Sequence, residues 1–101
     1  DDLHRFDALA GQLRMTGRQK RRGRRLLDEL DVGNFGTSID PVIFGICVLV
    51  ANEDVHDGYR YWPHPDSTAN DEVFEAVAED LELSWKRQVS VIQRLEHRLP
   101  L

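Results

Sequence analysis

Apolar residues recur at helical spacing along most of this chain and saturate one stretch in its middle. Leu3, Phe6, Ala10 and Leu13, with Leu9 beside them, trace one face of a first helix. Asp1 or Asp2 can cap it, and Gly11 is its weak point. Thr16 and Gln19 have the spacing of a capping box and open a second helix, whose apolar face is Gly23, Leu26, Leu27 and Leu30. Gly33 and Gly36 close that helix, and Asn34 tolerates the left-handed backbone used at such ends. Ser38 caps a third helix with Pro41 in its first turn. Val42, Ile43, Phe44, Ile46, Val48, Leu49 and Val50 leave it no polar side, which marks a buried element. Its β-branched residues also suit a buried strand. Its length, its cap and the lack of a second strand-like segment to pair with favour a helix. Gly45 and Ala51 would let neighbouring helices approach closely.

Asn52 to Ala69 reads as a long loop holding Tyr59, Tyr61 and Trp62, with Tyr59 to Tyr61 as a short extended segment. Asn70 or Thr68 caps a fourth helix, with Phe74, Val77, Ala78 and Leu81 on one face and Asp71, Glu72, Glu75, Glu79 and Asp80 on the other. Ser84 caps a fifth helix with Trp85, Val89, Ile92, Leu95 and Leu99 inward, and Pro100 ends it. No internal repeat stands out. The expected architecture is one all-α domain over 1–101, five helices around a buried third, closing in a helix-turn-helix-like pair.

The chain has 101 residues and a net charge of −5. A lone Cys47 rules out an internal disulfide and any cysteine-based zinc site. The longest apolar run, Val42 to Ala51, is shorter than the roughly 20 residues a bilayer demands. With no signal-peptide pattern and no initial methionine, the expectation is a soluble cytoplasmic domain, trimmed or part of a longer chain. The cations are 11 Arg and 2 Lys against 18 acids, which points to a halophilic or high-GC source. They are also unevenly placed. Arg14 to Arg25 carries +7 without one acid, and the rest of the chain −12. Such a domain can present a basic stripe to an acidic partner.

The last two helices have helix-turn-helix spacing, in which Val77 and Ala78 permit a close crossing and Ser84 starts the next helix at an angle. The outer face of that second helix offers Lys86, Arg87, Gln88, Ser90, Gln93 and Arg94. Gln and Arg can read base edges, while Ser and Lys can hold phosphates. A plain antiparallel helix pair has the same spacing.

Three stretches also carry a family likeness: Leu9 to Thr16, Ser38-Ile39-Asp40 with the apolar run to Ala51, and Val77-Ala78-Glu79 through Ser84 to Leu95. In these the chain resembles one cyclin-like repeat of the archaeal and eukaryotic transcription factor B family. The resemblance implies a cyclin-like fold, promoter DNA contact and partners such as the TATA-binding protein or RNA polymerase. The chain departs from the family in having a single repeat, no zinc ribbon and a longer loop after the central helix. It also has Glu82 in the turn, where a glycine is common.

A second surface lies on the second helix. Arg18, Arg21 and Arg25 fall on one stripe opposite its leucines, with Arg22 beside them, and suit phosphate or an acidic partner. Alternatively they form a solvated face paired with the acidic fourth helix. Tyr61 and Trp62 fold back on the core or stack on a base. His56 and His64 with Asp54, Asp57 and Asp66 are the sole candidate metal cluster, and a metal is not expected there. Cys47 is expected to behave as a small core hydrophobe. No cofactor motif or catalytic constellation appears. The reading is a non-enzymatic DNA-binding transcription module. The alternative is an adaptor docking on an acidic protein, such as an RNA polymerase subunit, through the second helix.

Overall fold

A computed structural model describes residues 2–30, 38–56, 58–64 and 71–100. Among them are five α-helices and no strand: α1 (Asp2–Gln12), α2 (Gly17–Glu29), α3 (Ile39–Glu53), α4 (Glu72–Asp80) and α5 (Trp85–Arg98). The proposed closing residues Gly33, Asn34 and Gly36 lie outside the described residues, as do Asp1, Thr68 and Asn70. The cap of α4 is instead Asp71, whose carboxylate accepts from the Val73 and Phe74 amides.

The centre is α3. Pro41 to Val48, Val50 and Ala51 are all buried, so this helix has no wet face, as its sequence requires. Helices α1, α2 and α5 pack around it. Two glycines set the closest approaches. A Cβ on Gly45 would lie 2.8 Å from Leu95 Cδ1 of α5. One on Gly23 of α2 would overlap the buried ring of Phe6 of α1, 2.9 Å from its Cε2. Polar ties fix the same elements at their rims. Arg5 donates from Nε (2.7 Å) and Nη2 (3.0 Å) to Asp40 in the first turn of α3. Arg22 donates to Glu53, and Arg24 to Asp7.

The chain does contain a repeat, contrary to expectation. Phe6 to Thr16 aligns without a gap on Phe74 to Ser84, keeping Phe, an acid, Ala, an aliphatic, Ala, then Leu, an aliphatic and a hydroxyl cap. The backbone repeats with it. The Met15 and Leu83 amides each donate to the carbonyl five residues back, at 3.0 Å. The Arg14 and Glu82 amides donate three residues back, at 3.1 and 3.0 Å. This is the Schellman closure of a helix, and Arg14 (φ 57°) and Glu82 (φ 56°) hold the left-handed position that glycine usually takes. Two residues later, Thr16 and Ser84 cap the following helix through the Gln19 and Arg87 amides. Glu82 thus makes the tight turn without glycine.

Three apolar positions differ from expectation, and one of them, Val89, is half-buried and outside the core. Leu3 is 42% and Trp85 40% exposed, because each sits at the outer start of its helix. The inward stripe of α5 is rotated to Gln88, Val91, Ile92, Leu95 and the following Leu99.

Gly23→Ala should cost about 1–3 kcal/mol in denaturant unfolding, because the Phe6 ring has nowhere to go. Gly11→Ala meets nothing within 4 Å and should instead stabilise by roughly 0.5–1 kcal/mol. The hydrogen bond from Arg5 holds the Asp40 carboxyl below its ordinary value of 3.8. Its contribution is therefore present at neutral pH and lost as pH falls through that depressed value. Asp40→Asn should lower stability by at most about 1 kcal/mol at neutral pH, since the pair is partly solvated. The difference between the two proteins should vanish near the acid end of a pH series of melts.

Candidate nucleic-acid interface

The two candidate surfaces fare differently. On α5, Lys86, Arg87, Ser90 and Gln93 are exposed and Arg94 is half-buried. Lys86 Nζ lies 5.8 Å from the centre of the Trp85 ring. Gln88 is not on this face. It is 5% exposed, accepts a 2.6 Å hydrogen bond from the Tyr61 hydroxyl, and donates at 2.9 Å to the Leu83 carbonyl inside the turn. The sequence assignment of Gln88 to DNA is corrected accordingly: it lies one turn before Val91 and Ile92, on the stripe that faces the core. Its amide braces the turn between α4 and α5.

Tyr61 reaches Gln88 because the loop is tied back at three points. The Asn52 side chain accepts from the Arg60 and Tyr61 amides and donates to the Tyr61 carbonyl at 2.9 Å. Arg60 donates to Asp71 and places its guanidinium 5.0 Å from the centre of the Phe74 ring. The Tyr61 ring packs against Phe44 and Phe74. Burial raises the Tyr61 hydroxyl pKa, against the lowering effect of the Gln88 bond, so it remains a donor. Burial also works to raise Asp71, yet the bonds from Arg60 and the Phe74 and Val73 amides leave its carboxyl below the usual value. Tyr59 is 62% exposed, and its ring lies tilted against Trp62 with 5.1 Å between ring centres.

The stripe on α2 is more open. Arg18, Arg21 and Arg25 are exposed and form no ion pair among the described residues. Arg22 does not join them. It is held by Glu53 at 3.2 Å, and that hydrogen bond raises its pKa, so its predicted phosphate role is corrected to a tie between α2 and α3. The acids that answer this helix therefore come from α1 and α3, not from α4 as the solvated-face alternative supposed. A cleft of about 300 Å³ opens beside Arg18, Gln19, Arg22, Val50, Glu53 and Asp54. Gln19 Nε2 donates to Asp54 across it at 2.7 Å. Its two carboxylates make it a poor anion pocket, so the charge available to a partner is the convex arginine face.

Asp57 and Asp66 of the loop lie outside the described residues. His64 lies beside Trp85, 6.1 Å between ring centres. Cys47 is fully buried in α3, and burial pushes its thiol up to about 12, where it is not a nucleophile at neutral pH.

Comparison of the chain with protein-family models, curated proteins and solved structures gave no match.

Tyr61→Phe leaves the Gln88 carbonyl oxygen buried without its donor. It should cost about 1–3 kcal/mol in thermal or denaturant unfolding. An unchanged midpoint would show that the hydroxyl contributes nothing to the loop's attachment.

Proposed function

We propose that this chain is a non-enzymatic, transcription-related module that binds DNA, and that its five helices form a cyclin-like arrangement akin to one repeat of transcription factor B. The single observation that supports it is the row of exposed guanidinium groups of Arg18, Arg21 and Arg25, without an ion pair among the described residues, on a helix clamped at both flanks. Exposed arginines without an ion pair are suited to phosphate oxygens. The polar face of α5, with Lys86, Arg87, Ser90, Gln93 and Arg94, offers a second contact surface. A soluble cytoplasmic role fits this reading.

A second reading has a specific observation of its own. The carboxylates Glu72, Glu75, Glu79, Asp80 and Glu82, on α4 and in the turn that leads to α5, are all exposed and repel phosphate. In that reading the domain is an adaptor, and α2 docks on an acidic protein such as an RNA polymerase subunit.

Fluorescence anisotropy with labelled duplex DNA across a potassium chloride series separates the two. Binding should weaken with salt. Arg21→Glu with Arg25→Glu should lower affinity on every duplex and flatten the log–log salt slope by about 2. No binding at any salt would reject the DNA reading in favour of the adaptor.

A further inference from the structure

Among the described residues, α1 and α2 repeat the backbone hydrogen bonds and hydroxyl cap of the turn between α4 and α5, yet the two pairs differ sharply in charge. Residues 2–29 carry eight basic and four acidic side chains, and residues 71–100 carry four and seven. The contrast is strongest at the turn itself. Where the second pair has Glu79, Asp80 and Glu82, the aligned positions of the first are Gly11, Gln12 and Arg14. In a helix-turn-helix the first helix crosses the phosphate backbone and the start of the second enters the groove. Three carboxylates at that crossing oppose phosphate, whereas an arginine beside uncharged residues attracts it.

The second helices differ in the same sense. Gln88 of α5 is consumed by the core, whereas α2 turns Arg18, Arg21 and Arg25 outward. The ties of Arg24 to Asp7 and of Arg22 to Glu53 fix the roll of α2, with Arg21 and Arg25 on its outer side and Arg18 at the mouth of the cleft between α2 and α3. Gly23 under the Phe6 ring fixes the crossing with α1. At about 1.5 Å per residue, the 13 residues of α2 span roughly 20 Å. That is enough to lie along a groove with Arg18 and Arg21 near its floor and Arg25 toward the backbone.

We propose that α1 and α2 form a second helix-turn-helix and that α2, not α5, is the helix that enters the DNA major groove, with Arg18 and Arg21 reaching guanine edges. The proposal rests on the DNA-binding reading above and adds which helix reads and what it reads. Arginine makes its most frequent specific base contact by donating to guanine O6 and N7. Lysine keeps the charge but not the planar fork.

The experiment uses anisotropy on a labelled GC-rich duplex and on the same duplex with guanine replaced by 7-deazaguanine. The replacement removes the N7 acceptor and leaves every phosphate in place. The wild-type chain should lose at least about fivefold in affinity on the 7-deaza duplex. Arg18→Lys with Arg21→Lys should narrow the ratio between the two duplexes, because an ammonium can reach N7 or O6 but lacks the planar fork that grips both. Lys86→Ala with Arg87→Ala should keep the wild-type ratio. All the substituted side chains are exposed, and circular-dichroism melts verify that each variant folds. Equal wild-type binding to the two duplexes, or a ratio abolished by the α5 variant and kept by the α2 variant, overturns the proposal while DNA binding itself stands. Absence of binding to either duplex, with capture of polyglutamate by the same arginines, overturns the DNA reading beneath it.

Discussion

The third helix has no side that can face water. Pro41 to Val48, Val50 and Ala51 must all be covered, and every other described element is placed by that demand. Removing such a continuous apolar surface from solvent is the main favourable term in a domain of this size. Helices α1, α2 and α5 each contribute one apolar stripe to it, and small residues let them come close. The polar faces of those helices are therefore left outward. Burial of one helix thus exposes the arginines of another.

The two turns translate this packing into surface. Each is a Schellman closure with a charged residue in the left-handed position, followed by a hydroxyl cap that starts the next helix. Each is braced by a buried glutamine, but differently. Gln19 accepts from the Thr16 amide and donates to Asp54. Gln88 joins Tyr61 to the Leu83 carbonyl. The same local frame is thereby anchored to different neighbours, which leaves the outer face of each second helix free to diverge: arginines on α2, mixed polar groups on α5. Acids follow the opposite course, collected on α4 and in the turn that leads to α5.

Much of this was legible in the chain. The capping box at Thr16 and Gln19, the Ser84 cap, the buried α3 and the leucine face of α2 follow from spacing alone, since caps and periodicity are local properties. The arginine stripe was legible for the same reason. The repeat from Phe6 to Thr16 in Phe74 to Ser84 was also present in the letters, but it is short and degenerate. It became evident only when both copies were found in the same hydrogen-bonded turn.

The amino-acid sequence by itself determined the helices, the central position of α3 and which side of α2 bears cations, because each depends on residues within a few positions of one another. Tertiary structure decided the fate of individual polar groups. Gln88 went to the core because Tyr61, far away in the chain, supplies a donor there. Arg22 and Arg24 were taken by acids of α3 and α1, while Arg18, Arg21 and Arg25 have no acid partner among the described residues. Trp85 stayed half in solvent because the inward stripe of α5 is set by where α3 lies. A polar side chain's partner is fixed by which helix packs beside it, and periodicity along one helix carries no information about its neighbour.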